Sequence, residues 1–367
     1  MPLEDPKAMD FPSLAAFTEA YYSGAFRRLV KKLLVDGWLC EEPLPYLRFL
    51  QLVLRPRWSL AWRPHAPEFA AMRDGLMRVL EQAQAPLLLH PPQEEPGGGE
   101  DTIHISWHTL GRRPRTWHYK AAYLPHRLHF ERDGFSGSSE LCRLPLKDIT
   151  RVPAPLAGAH HAALLRDYAA AGLSKHAQNP QAPPPRAEDF VFVPLQLPND
   201  SVIGFKRFEA DYVTGMRTAI EALAAAGLPV VVKRHPHCQD RAVERLLAGY
   251  AGHPRIEVSE ASVHVLLPRC RCVVTLNSGV GFEALVYLRP VVTLGRADYG
   301  RAGVELDDPA GAAEAVCQAV AGQDTLLVRQ MVFTATERFQ IDTRSGRAFQ
   351  RQVLRALCQH AMERPER

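Results

Sequence analysis

The chain lacks any uninterrupted apolar run near the roughly 18 residues a membrane-spanning helix needs. Its 46% hydrophobic content therefore belongs to folded cores. It also lacks Gly-x-x-x-x-Gly-Lys-Ser/Thr, which argues against a P-loop ATPase. It lacks a strong charge excess: 44 Lys and Arg stand against 40 Asp and Glu. A net +4 does not demand nucleic acid, but it suits an anionic substrate or an anionic membrane surface. Disulfide and zinc patterns are missing too. The seven cysteines are odd in number and scattered, and Cys270-x-Cys272 has no companion pair. Reduced thiols and a cytoplasmic setting are expected. No acid cluster with metal-ligand spacing stands out, so neither metal nor cofactor is expected. The start, Met1-Pro2-Leu3-Glu4-Asp5, carries acids in place of an apolar h-region, so no signal peptide is expected. No internal repeat is visible.

A length of 367 residues suits about two domains. Residues 11–85 read as mostly helical, with helices at 13–34 and 67–84. Between them lies an aromatic and basic stretch, Leu54-Arg55-Pro56-Arg57-Trp58. Its Arg55, Arg57 and Trp58 read either as an exposed, membrane-touching patch or as ordinary surface and core residues. Short strands are expected at 86–90, 102–107, 116–123 and 128–130, then a helix at 159–171. The run Pro183-Pro184-Pro185 favours an extended linker and sets the boundary of an N-terminal domain, 1–185. Over 186–340 the pattern becomes regular. Strands at 190–194, 229–233, 255–258, 273–276 and 290–294 alternate with helices at 211–226, 240–250 and 262–268, and with one starting at Phe282. Such alternation predicts a parallel sheet with right-handed crossovers, which binds ligands beyond the carboxyl ends of its strands. The segment 341–367 carries a last helix, 345–363, expected to return to the first domain.

Three loops gather at that edge. After the strand 273–276 come Asn277-Ser278-Gly279-Val280-Gly281 and a helix start. Small residues feeding a helix leave backbone N–H groups and the positive end of the helix dipole facing the loop, a ready cradle for phosphate. Ser278 adds a hydroxyl, and Glu283, one turn in, can accept from ribose hydroxyls. The plain alternative is an ordinary capped turn. Gly279-x-Gly281-x-x-Ala284 also mimics a dinucleotide fingerprint with Asp298 as ribose acid. However, Asp298 falls in a loop, not at a strand end. After the strand 229–233 stand Lys233, Arg234, His235 and Pro236, where proline fixes the turn and His235 can donate to a phosphate oxygen. Incidental surface histidines are the alternative. After the strand 190–194 come Gln196 and Asp200, the latter a lone carboxylate or simply an Asx-turn cap.

Together these segments closely resemble the capsule polysaccharide biosynthesis and export family, which includes the bacterial β-Kdo (3-deoxy-manno-octulosonic acid) transferases. The matching residues are Val193-Pro194-Leu195-Gln196 through Asp200, Lys233-x-His235-Pro236, and 277–285, with Arg289-Pro290-Val291-Val292 and Leu294-Gly295 completing the last. A looser match covers Ser106 to Gly111, Lys120-x-x-Tyr123-Leu124-Pro125 and Asp133-Gly134-Phe135-Ser136-Gly137-Ser138. The family often has Asn-Ser-Thr where this chain has Asn277-Ser278-Gly279. The resemblance implies a GT-B-like α/β fold: two Rossmann-like domains facing a central cleft, with the C-terminal helix packing back on the first. It implies a retaining glycosyltransferase using CMP-β-Kdo, in capsule polysaccharide or lipopolysaccharide assembly, without a cofactor. The catalytic residues would be Asp200 as nucleophile, with His235 and Gln196. The donor nucleotide would lie on Lys233, His235, Pro236, Asn277, Ser278, Gly279, Gly281 and Glu283. A glycan or lipid-linked acceptor would meet His108, Lys120, Asp133, Ser136 and Ser138 at the cytoplasmic face of the inner membrane. Other donors remain open, CMP-sialic acid or CDP-glycerol, as does a CMP-sugar-binding module without turnover.

Overall fold

The structure is a computed structural model of the chain. It describes residues 13–23, 26–37, 40–64, 66–92, 101–172, 174–179 and 181–364. Twelve strands are found among them: β1 (Arg57–Ala61), β2 (Leu87–His90), β3 (Thr102–Trp107), β4 (Thr116–Ala121), β5 (Arg127–Glu131), β6 (Val191–Pro194), β7 (Val230–Lys233), β8 (Ile256–Val258), β9 (Cys272–Thr275), β10 (Val291–Thr293), β11 (Val304–Glu305) and β12 (Gln340–Asp342). They form two six-stranded sheets, ordered β12-β5-β4-β3-β1-β2 and β11-β10-β9-β6-β7-β8. The chain divides into two compact units. The first takes in the described residues of Met1–Ala122, His126–Phe135 and Thr336–Arg367, the second those of Tyr123–Pro125 and Ser136–Ala335.

In the first unit β1 to β4 pair in parallel, and β5 and β12 join antiparallel. Side chains alternate with the pleat. Thr102-Ile103-His104-Ile105-Ser106 and Thr116-Trp117-His118-Tyr119-Lys120 therefore separate into an apolar and a polar face. The register aligns the apolar set: Trp58 with Ile103, Ile105 with Trp117, Tyr119 with Phe130. These residues share one core with Leu47, Leu50, Phe69, Met72 and Leu76 from the helices Leu44–Leu54 and Pro67–Gln82, and with Phe349, Val353, Leu354 and Leu357 from the C-terminal helix Gly346–Glu363. That helix returns to the first unit as the sequence implied. It sits so close that a Cβ on Gly75 would come within 2.1 Å of the Phe349 ring.

The stretch 54–58 departs from the exposed reading. Trp58 lies in β1, fully buried, and its indole N–H donates to Gln51 Oε1 at 3.0 Å. Only Arg55 and Arg57 are exposed. Arg57 and Trp58 are successive residues of β1, so their side chains leave opposite faces of the strand, Arg57 outward and Trp58 into the core. No helix among the described residues is long and apolar enough to cross a membrane.

The second unit is an all-parallel sheet whose β6, β9 and β10 are buried along their whole length. It has its own core, including Val191, Val193, Val230, Val232, Val274 and Val292. The chain runs outward from β6 to β7 and β8, then crosses back to β9 on the other side of β6 and on to β10 and β11. The order reverses between β6 and β9, and open α/β sheets leave a ligand crevice at such a point.

The division falls at 135/136, not at the Pro run near 185. The helix Ala154–Ala171 belongs to the second unit. There the buried His161 ring pairs through Nε2 with Leu285 O at 3.3 Å, and Gln330 Nε2 donates to Val152 O at 2.7 Å. The proline stretch is local composition, whereas these long-range contacts carry no local signal. The helix also starts at Ala154, earlier than expected, because Pro155 suits a first helical turn.

Candidate functional site

Three neighbouring strands of the second unit end level. Pro194 pairs with Lys233, and Phe192 pairs with Val273, which sets Pro194 beside Thr275. The loops that follow, 195–200, 234–238 and 276–281, leave one edge of the sheet together. The sequence expected this convergence, and the register produces it.

The first and third loops are stapled together by their amides. Gln196, buried, donates from Nε2 to Asn277 Oδ1 at 2.9 Å, and its Oε1 accepts from the Asn277 backbone N–H at 3.0 Å. Asn277 Nδ2 donates onward to Val202 O at 2.8 Å and Arg296 O at 3.4 Å. Asp200 closes the chain: its Oδ1 accepts from the Val202 N–H at 3.2 Å, capping the short turn Ser201–Phe205. Both side-chain atoms of Asn277 and both of Gln196 are thus engaged inside the protein. Their geometry positions the half-exposed Asp200 rather than presenting amides to a ligand.

The second loop carries the imidazoles. His235 Nδ1 accepts from the His237 backbone N–H at 3.1 Å, which leaves the proton of the neutral ring on Nε2 as a donor. Burial lowers the His235 pKa and the neighbouring His237 adds to this, while the negative charge of Asp200 pulls the other way. Asp200 and His235 therefore lie within each other's field. Pro236 is exposed and its turn closes by Cys238 N–H to His235 O at 2.9 Å. Lys233 is spent differently from the expectation: its ammonium donates to Ala261 O at 2.9 Å and Glu260 O at 3.1 Å. Two of its three donors hold the loop after β8.

The third loop enters the helix Gly279–Val286, which starts three residues before Phe282 because Ser278 is its N-cap. The Ser278 hydroxyl accepts from the Val280 N–H at 3.2 Å. Aromatic rings press on both glycines. A Cβ on Gly281 would fall 2.3 Å from the Tyr299 hydroxyl, and one on Gly279 would fall 2.9 Å from Tyr123 Cδ1. Tyr123, from the motif Lys120-x-x-Tyr123, donates to Asp298 Oδ1 at 2.7 Å. This explains Asp298, which is buried as a ring anchor and is no ribose acid. Glu283 is buried as well. Its Oε1 accepts from the Ser174 hydroxyl at 2.9 Å, and its Oε2 has no hydrogen-bond partner among the described residues. Burial pushes the Glu283 pKa up to about 7, opposed by the Ser174 and Tyr168 hydroxyls and the Lys175 charge.

The residues expected to meet an acceptor fall into two sets. In the first unit Lys120 Nζ lies 3.7 Å from the centre of the Phe135 ring and the His108 ring 4.9 Å from it. Asp133 is buried there, 3.9 Å from Arg112. In the second unit Ser136 is buried at φ +52°, and its hydroxyl has no hydrogen-bond partner among the described residues. Gly137 is packed so tightly on Phe205 that a Cβ would come within 2.5 Å of its ring. This places the stretch Ser136–Ser138 against the turn that Asp200 caps.

Sequence reasoning passed over residues 174–176. His176 lies 4.8 Å from the His235 ring and 5.0 Å from the His237 ring. Burial, with the charges of His235, Lys175 and His237, lowers its pKa to about 4. The available signal was a Ser-Lys-His cluster just after a helix stop at Gly172, which adopts φ +58°. Among the described residues no group of three or more His, Cys, Asp or Glu is placed to hold a metal ion.

Residues 157–332 match the family model described as capsule polysaccharide biosynthesis protein. A stretch of 145 residues is 31% identical to protein FixF of Sinorhizobium fredii (strain NBRC 101917 / NGR234), covering 36% of this chain and 34% of FixF. The match thus spans about a third of that relative. Among solved structures, the beta Kdo 2,4 transferase of Thermosulfurimonas dismutans KpsC aligns over 78% of this chain and 93% of its own, with TM-score 0.49 and 15% identity. The beta Kdo 2,7 transferase of the same KpsC aligns over 71% and 89%, with TM-score 0.45 and 16% identity. The three converging loops all fall within residues 157–332, the segment that matches the capsule polysaccharide biosynthesis family model.

Proposed function

We propose that the chain is a retaining glycosyltransferase that moves Kdo from CMP-β-Kdo to a glycan or glycolipid acceptor in capsule or surface polysaccharide synthesis. The observation that carries this is the meeting, at one sheet edge, of a lone carboxylate, an imidazole donor and a capped helix start. Asp200 sits in the field of His235 and is braced through Val202 and Asn277 to the Ser278 loop. In this reading the helix start at Ser278 and the Nε2–H of His235 hold the phosphate of CMP, and Glu283 takes the ribose hydroxyls. The Asp200 carboxylate attacks the anomeric carbon as the bond to the phosphate oxygen breaks, and CMP leaves with the electron pair. An acceptor hydroxyl then displaces the carboxylate and loses its proton to a general base. Two displacements at one carbon retain configuration, and donors aimed at the departing phosphate stabilise the charge that develops there. Gln196, Asn277 and Lys233 act as positioning residues.

The test is release of CMP from CMP-Kdo, CMP-sialic acid and CDP-glycerol offered in parallel, with mass spectrometry of the protein. Release from CMP-Kdo alone, and a Kdo adduct on the peptide holding Asp200, support the proposal. Release from another donor moves the substrate assignment, and CMP binding without release marks a non-catalytic module. Asp200→Ala is expected to abolish transfer while CMP still binds; strong residual transfer removes Asp200 from the nucleophile role.

A further inference from the structure

We infer that residues 174–176 form a fourth donor-contacting segment, with Ser174 aiming the Glu283 carboxylate at the ribose and His176 supplying a second imidazole to the phosphate. The inference rests on the proposed nucleotide site and deepens it.

Three consecutive residues reach both ends of that site. Ser174 holds Glu283 Oε1 at 2.9 Å. This fixes the carboxylate plane and leaves the buried Oε2 without a partner among the described residues. A buried carboxylate oxygen short of donors is costly; the Tyr168 hydroxyl also acts on this carboxylate, and a ribose hydroxyl would complete its set of donors. Two residues on, His176 packs edge-on against both His235 and His237, the imidazoles of the His-Pro loop. The intervening Lys175 is felt electrostatically at Glu283 and at His235 alike. Cα atoms two residues apart are separated by at most about 7 Å, comparable to one ribose from its 2′,3′ edge to its 5′-phosphate. The segment therefore runs alongside the nucleotide and offers a polar group at each end. Sharing the phosphate between two imidazoles divides a dianion's charge over two donors, each of which becomes a charge-assisted bond if the ring protonates.

The test compares ligands as well as variants, by titration of the full chain with CMP, cytidine and 2′,3′-dideoxycytidine. His176→Phe keeps a ring against His235 and His237 but removes the donor. It is expected to weaken CMP about tenfold or more, the scale of one hydrogen bond to a charged group, and to leave cytidine unchanged. Ser174→Ala is expected to weaken CMP and cytidine alike, severalfold, and to leave dideoxycytidine unchanged. A variant that merely misfolds loses all three ligands, and cytidine binding identifies it; His176→Gln, which keeps a donor, then repeats the comparison, with partial recovery of CMP affinity expected. If the wild-type chain binds CMP but His176→Phe and Ser174→Ala lower no affinity, or lower every ligand equally while folded, the inference is overturned and the nucleotide site stands. If the wild-type chain binds neither CMP nor cytidine, the nucleotide site itself falls.

Discussion

Glu283 keeps its carboxyl inside the second unit, where ionisation is disfavoured, and burial raises its pKa from 4.5 to about 7. The raised value means that the folded state binds more protons than the unfolded chain between those two pH values. Stability then declines as pH rises through that window. Glu283→Gln removes the ionisation and preserves the shape. Its unfolding temperature should match the wild type near pH 5 and exceed it by several degrees at pH 8, as a shift of this size implies about 3 kcal/mol. Equal curves at pH 8 would remove the burial argument. The His176 and His235 pKa values are instead lowered, by burial first, with the charges of His235, Lys175 and His237 adding at His176 and those of His237 and Lys175 adding at His235. An arriving phosphate reverses that balance. CMP binding at pH 6 should therefore take up protons, seen as calorimetric heats that scale with the ionisation enthalpy of the buffer. Heats that are the same in all buffers would show that neither ring titrates with the ligand.

At the scale of elements, the turn from β9 into the helix Gly279–Val286 shows why its glycines are needed. A Gly→Ala change inside a helix ordinarily gains up to about 1 kcal/mol. At Gly281 the new methyl would meet the Tyr299 hydroxyl, which donates to Ser278 O, so accommodating it breaks the brace of the N-cap residue. Gly281→Ala is expected to lose about 1–3 kcal/mol, the scale of overpacking, and to weaken CMP. Gly279→Ala, facing a longer approach to Tyr123, should lose less; thermal melts of both variants check the order. The turn and its helix were legible locally, because an apolar run, small residues and a capping serine are local signals. The partners of the glycines were not, since Tyr123 and Tyr299 come from other parts of the chain. The same holds for Gln196 and Asn277. Their presence at strand ends was readable, but their mutual clamp depends on β6 and β9 being neighbours.

For the whole molecule, the C-terminal helix Gly346–Glu363 completes the first core and has no part in the second. Phe349, Val353, Leu354 and Leu357 are fully or almost fully buried. At roughly 1.5–3 kcal/mol for each large side chain, their loss is comparable to the whole stability of a domain, about 5–15 kcal/mol. Truncation after residue 343 should therefore abolish hydrogen-exchange protection in β1, β3 and β4. It should leave β6, β7 and β9 protected and CMP bound. Loss of protection in both sheets would show that the second unit does not stand on its own core.

By itself the sequence determined the α/β alternation over 186–340, the three strand-end loops and the returning terminal helix. Each is written in neighbouring residues, through periodicity, capping and turn chemistry. Tertiary structure alone decided that Trp58 lies inward, that residues 136–185 join the second unit, and that Gln196, Asn277 and Lys233 brace loops. It alone brought residues 174–176 to Glu283 and His235. Those outcomes depend on which strands become neighbours and which side chains meet across distant parts of the chain, and pairing of that kind leaves no mark on local composition.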